Sequence, residues 1–175
     1  MSKKAKRGIL ITPATKIHYS NNTITATNNN YTEYTSVKEA FYLIKINTKI
    51  FIKINTTQNK ALKGTFHSLI ANILQGIKTR FKKTLIIEGL GFSAYQTHNL
   101  LQIKIGFTQP RYITLTPNIN CQIIATKKII LKSTNNVTLG NLCKRIKSLR
   151  KYNAYKNKGI RETCEQPLQK KRTKK

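Results

Sequence analysis

Through the first half of the chain apolar residues come in short runs, many of them alternating with polar ones, which is the period of a half-buried strand. Strands are predicted at Gly8 to Ile11, Lys16 to Ser20, Thr23 to Thr27 and Tyr31 to Thr35, with Asn21-Asn22 and Asn28-Asn29-Asn30 as turns between them. Leu43 to Ile46 and Ile50 to Ile54 read as a hairpin around Asn47-Thr48. The period then changes. Phe66, Leu69, Ile70, Ile73, Leu74 and Ile77 fall on one face at helical spacing. The second half repeats the order. Thr84 to Gly89 is a buried strand ending at the Gly89-Leu90-Gly91 corner, and Ser93 to Gln96, Leu101 to Phe107 and Tyr112 to Leu115 follow. Gln122 to Ala125 and Ile129 to Lys132 form a hairpin around Thr126-Lys127-Lys128, and a second helix carries Leu139, Leu142, Ile146 and Leu149 on one face.

Strands, hairpin and helix are thus written twice within 175 residues, enough for two small domains. The predicted class is α+β: two tandem small domains of similar fold, each an antiparallel sheet packed against one helix, with a basic C-terminal extension. The domains are placed at 8–83 and 84–160, and the tail at 161–175. The hairpins can be laid over one another without a gap, Ile44 to Lys53 on Ile123 to Lys132, sharing Ile and Lys at matching places.

Charge changes the picture most. The net charge is +28, from 33 Lys and Arg against five acidic residues, all glutamates: Glu33, Glu39, Glu88, Glu162 and Glu165. Such a chain repels itself and calls for a polyanionic partner. The same shortage of carboxylates argues against hydrolytic or phosphotransfer chemistry, which uses clustered acids for proton transfer or magnesium. No catalytic residues, no metal site and no cofactor are expected, and no small-molecule substrate. His18, His67 and His98 are far apart; His67 sits in the helical stripe as a surface or core-edge residue. Cys121, Cys143 and Cys164 show no C-x-x-C spacing, which fits a reducing compartment. No apolar run approaches the roughly 18 to 20 residues of a bilayer span, so no membrane partner is expected.

The basic residues are concentrated. Cys143 to Lys175 holds 13 basic and two acidic residues, whereas Ile86 to Leu142 holds five basic ones. Within that region Tyr155, Lys156, Lys158, Gly159 and Arg161 combine a ring for stacking or packing, cations for phosphates and a glycine for close backbone approach. Lys144, Arg145, Lys147, Arg150 and Lys151 form the polar face of the second helix, a second tier of candidate contacts. Lys170, Lys171, Arg172, Lys174 and Lys175 form a tail expected to order on a partner. These features describe a nucleic-acid binder. The alternatives are a free nucleic-acid-binding or DNA-compacting protein, which lacks a helix-turn-helix or zinc-finger signature, and an organellar nuclease, which lacks carboxylates.

Four stretches also carry a family resemblance: Gly64-Thr65 with Asn72 and Gly76; Glu88-Gly89-Leu90-Gly91-Phe92-Ser93-Ala94; Gly106-Phe107-Thr108-Gln109-Pro110; and Tyr155 to Ile160. In order and spacing they resemble the universal large-subunit ribosomal protein six family, of bacterial and organellar type. The resemblance covers nearly the whole chain and is weakest in the first domain. Two departures are local: Asn157 stands where the family's Tyr-Lys-Gly-Lys-Gly-Ile signature has glycine, and Tyr152-Asn153-Ala154 replaces a proline-bearing approach. The resemblance implies two tandem domains of one fold and a structural protein with no catalysis. It also implies binding to large-subunit rRNA beside the sarcin–ricin loop, near where translational GTPases dock, among neighbouring large-subunit proteins. The Lys, Ile and Asn bias, favouring A/T-rich codons, and the absence of a presequence pattern lead us to expect a mitochondrial matrix ribosome, with plastid or bacterial cytoplasm as alternatives.

Overall fold

The structure is a computed structural model, and it describes residues 8–11, 15–20, 23–28, 31–36, 41–46, 49–54 and 60–166. The chain divides into two compact units, Met1–Arg80 and Phe81–Lys175.

In the first unit, β1 (Ile9–Leu10), β6 (Lys49–Ile54) and β5 (Phe41–Ile46) form one antiparallel sheet in that order. β2 (Lys16–Ser20), β3 (Thr23–Asn28) and β4 (Tyr31–Ser36) form a second, a simple meander. Helix α1 (Lys60–Lys78) lies against β3, β4 and β6. Its apolar stripe does what the spacing predicts: Phe66, Ile70 and Leu74 are buried with Ile9, Ile24 and Ile52 in one core, and Leu69 packs at its margin. His67 is half-buried on the helix flank. The turns expected at Asn21-Asn22 and Asn47-Thr48, and Asn29-Asn30 of the third, lie outside the described residues.

The second unit repeats the connectivity element by element. β7 (Phe81–Glu88) pairs antiparallel with β12 (Lys128–Ser133), as β1 does with β6. β8 (Ser93–Thr97), β9 (Leu100–Lys104) and β10 (Arg111–Thr114) make the meander, and β11 (Ile119–Ile124) completes the hairpin with β12. Helix α2 (Asn136–Leu149) follows. Asn135 caps it, its Oδ1 accepting from the N–H of Val137 at 2.9 Å, which satisfies a donor the helix itself leaves open. The α+β architecture of sheets and one helix per unit is therefore present.

Most strand ends move by one to three residues, β9 stopping at Lys104 rather than Phe107 and β11 starting at Ile119 rather than Gln122, and some of the differences matter for the site. β7 begins at Phe81 rather than Thr84, because Phe81, Lys82 and Lys83 pair with Ser133, Lys132 and Leu131. The gapless overlay of the hairpins fails by one residue. Ile46 pairs with Lys49 across a two-residue connection, but Ile124 pairs with Lys128 across three. A slip of one residue would turn every side chain of one strand to the wrong face, so the extra residue goes into the turn. Finally, a strand absent from the expected set, β13 (Gly159–Glu162), runs antiparallel along the free edge of β7. It carries Arg161 and Glu162 into the sheet, past the limit expected at residue 160.

The core of the second unit gathers Leu85, Ile87, Leu101, Ile103, Ile129, Leu131 and Ile160 with Leu139, Leu142, Cys143 and Ile146 of α2. Burial pushes the Cys121 and Cys143 thiols up to about 11. Leu142→Ala or Ile146→Ala is expected to lower unfolding free energy by about 2–5 kcal/mol, through reduced burial and a cavity. Urea denaturation of each variant checks this; unchanged stability in both would mean α2 covers the sheet with another face.

Candidate nucleic-acid interface

Helix α2 ends at Arg150, whose backbone turns extended at φ −148° and ψ 99°. Its carbonyl then accepts from the N–H of Ile160 at 3.1 Å, which ties the helix end to β13. Between them the chain makes a closed loop. Its neck is the bridge between Asn153 and Lys158, where the Asn153 N–H donates to the Lys158 carbonyl at 2.8 Å. Inside the neck the Asn153 Oδ1 accepts from the N–H groups of Tyr155 and Lys156, at 2.9 and 3.2 Å. An asparagine in that role holds a turn without glycine or proline, which is how Tyr152-Asn153-Ala154 serves in place of a proline-bearing approach.

Asn157 adopts φ 49°, in the left-handed region. Asparagine enters that region more readily than most residues, so the loop keeps a contour suited to glycine. Its Oδ1 also accepts from the Tyr152 hydroxyl at 3.2 Å, closing the loop a second time. Gly159 is buried at φ 138°, and a Cβ there would stand 2.5 Å from the Tyr152 Cα and 2.7 Å from the Lys151 carbonyl oxygen. Its close backbone approach is thus to its own chain.

The candidate side chains separate by environment. Tyr155 is 56 % exposed, so it does not close the core, and Lys156 is exposed while Lys158 is half-buried. Arg161 is engaged within the protein: its Nε and Nη2 reach Glu88 Oε1 at 2.8 and 2.6 Å, and its Nη1 donates to the Glu165 carbonyl at 3.3 Å. On and after α2, Lys144, Arg145 and Lys151 are exposed, and no carboxylate of the described residues pairs with them. Lys147 instead bonds Glu165, holding that carboxyl below its ordinary value, with help from the Glu162 N–H. Arg150 lays its guanidinium over the rings of Phe92 and Phe107, 5.6 and 5.8 Å from their centroids. Lys170, Lys171 and Arg172 lie outside the described residues, as do Lys174 and Lys175.

The acids of this unit therefore act as internal ties. Glu88 holds Arg161, Glu165 holds Lys147, and Glu162 meets Lys83 at 3.1 Å, raising the Lys83 ammonium through that hydrogen bond. All three ties fasten β13 and the residues after it to β7 or α2. With these cations neutralised, the outward positive charge of the region falls to Lys144, Arg145, Lys151, Lys156 and Lys158. A residue outside the expected set joins them: Lys127, from the β11–β12 turn, lines the same cleft as Lys156 and Lys158. Three consecutive turn residues give no periodic signal, so only the pairing of β11, β12 and β7 reveals its neighbours.

Among the described residues no cluster of His, Cys, Asp or Glu could hold a metal, and no helix is long and apolar enough to cross a membrane. Fold and surface together define a basic protein of two repeated α+β units, the second carrying a group of outward-facing cations that no carboxylate of the described residues pairs with. No family model matches the chain. Curated relatives do. Large ribosomal subunit protein uL6 of Karelsulcia muelleri is 38 % identical over 122 residues, 67 % of this chain and 67 % of the relative. The uL6 of Natranaerobius thermophilus is 29 % identical over 172 residues, 97 % of each chain, and that of Amoebophilus asiaticus 35 % over 118, 65 % and 64 %. The chain belongs to the large ribosomal subunit protein uL6 family. These relatives are bacterial, so the similarity lends the mitochondrial placement no support.

Proposed function

We propose that the 153–158 loop clamps large-subunit rRNA, near the sarcin–ricin loop and the docking region of translational GTPases, with Lys156 and Lys158 as its phosphate contacts. Membership of the uL6 family makes the protein a structural constituent of the large ribosomal subunit. The observation that supports the finer reading is the contrast between braced and free cations. Arg161, Lys147 and Arg150 are bound within the fold, whereas the loop projects Lys156 from a neck closed by Asn153, Asn157 and Gly159. A rigid mount lowers the entropy cost when a long side chain settles on phosphate. Tyr155, more than half exposed, is a stacking surface for a base or sugar. Lys144 and Arg145 extend the positive face along α2, and Lys170, Lys171 and Arg172 prolong it in sequence.

Binding is architectural, with RNA shape rather than a base code setting specificity. The function requires no catalysis. Co-sedimentation of the chain with large subunits through high-salt sucrose is the direct test. Retention with the large subunit is the expected outcome; release at moderate salt together with equal binding to duplex DNA would favour the free nucleic-acid binder. The mitochondrial placement is an expectation from the sequence, and the genetic compartment of the gene decides it.

A further inference from the structure

Lys127, Lys156 and Lys158 line one open cleft of about 520 Å³, walled by Ile86 to Leu90 at the end of β7. Glu88 is also part of the lining, but its carboxylate is held by Arg161. No carboxylate of the described residues pairs with any of the three lysines. Like charges gathered in a concave place repel one another, and an anion entering the cleft relieves all three at once.

The turn that delivers Lys127 is strained. Ala125 and Thr126 have φ of 49° and 55°, in the left-handed region that alanine and a β-branched residue seldom occupy. Two hydrogen bonds hold them there: the Ala94 N–H donates to the Thr126 carbonyl, and the Ile87 N–H to the Lys127 carbonyl, both at 2.8 Å. The same turn contains the extra residue that breaks the match between the two hairpins. Such strain persists only where the surrounding fold enforces it, and it clusters at functional sites.

We propose that Lys127 completes a phosphate cradle with Lys156 and Lys158, which takes the backbone of one RNA strand between two jaws. The strained 125–127 turn is the fixed jaw and the 153–158 loop the other. Lysine suits this task, since its ammonium is a point charge with three donors and needs no particular phosphate orientation. The cradle rests on the rRNA-clamp reading above.

The test uses the full chain, a large-subunit rRNA transcript containing the sarcin–ricin region, and binding over a salt series. Lys127→Ala is expected to weaken binding about fivefold or more and to make the log–log salt slope shallower by about one unit. Lys104→Ala, at an exposed lysine of β9 outside the cleft, should change binding by less than about twofold. Ala125→Gly with Thr126→Gly should keep or raise the melting temperature yet weaken binding, because the jaw is no longer fixed. If Lys127→Ala behaves like Lys104→Ala while the Lys156/Lys158 variant still binds poorly, the cradle is overturned and the clamp stands. If neither variant changes binding, the clamp falls and the cradle with it. Wild-type binding by the double-glycine variant would remove the strained turn from the site.

Discussion

Replacing Lys156 and Lys158 together with alanine is expected to weaken binding to large-subunit rRNA by about 10- to 100-fold near physiological salt. The salt slope should become shallower by about two units, one for each phosphate deprived of its lysine. The magnitude follows from counterion release, which is worth close to a decade of affinity per phosphate neutralised over a tenfold change in salt. Thermal stability should not move, since neither ammonium has an ion-pair partner among the described residues. The informative comparison is Lys144→Ala with Arg145→Ala, which removes two exposed charges from α2 and should have a smaller effect. Lys147 is a poor comparator, because its replacement also frees Glu165. Intact affinity and slope in the loop variant, with the helix variant impaired, would move the RNA-binding surface to the helix.

Gly159→Ala is expected to be the most damaging single substitution in the region, lowering stability by about 3 kcal/mol or more. Two causes coincide. The backbone there is at φ 138°, and the added carbon would meet main-chain atoms of Tyr152 and Lys151, which cannot swing aside as a side chain can. Forcing those atoms apart also opens the loop neck, so RNA binding should fall with stability. Asn157→Gly is the contrasting case: glycine suits φ 49°, and only the acceptor for the Tyr152 hydroxyl is removed. Thermal melts of the two variants check the prediction. Equal stability of Gly159→Ala and the parent would show that the neck is not closed against Tyr152.

The elements visible in the sequence are those whose side chains repeat. The α1 stripe from Phe66 to Ile77 and the α2 face from Leu139 to Ile146 announce themselves by period, and both face cores. Cys143 joins the α2 face, though its residue type drew attention only to its sulfur chemistry. β13 was hidden because four residues, Gly-Ile-Arg-Glu, are too few for alternation to register amid so many charges. The buried Ile160 was its one local sign. For the candidate site, sequence named the basic residues and their place in the chain, but not which of them the fold pairs internally. Sequence offers Arg161, Lys147 and Lys156 all as candidate contacts, with Lys147 a tier below the other two. Only the fold brings Glu88 and Glu165 to the first two and leaves the third facing outward. Lys127 reached the site through strand pairing alone.

The placement of β13 has a consequence for how the protein is made. Until residues 159–162 leave the ribosome that is translating them, β7 has an open edge, ready to pair with any other extended chain. The strand that covers this edge is also the far side of the loop neck, through Lys158 and Gly159. Covering the edge and shaping the loop are therefore one event in the nascent chain. A polypeptide stalled before that strand would have neither a finished sheet nor a closed loop neck, so both features arrive together and last in the order of synthesis.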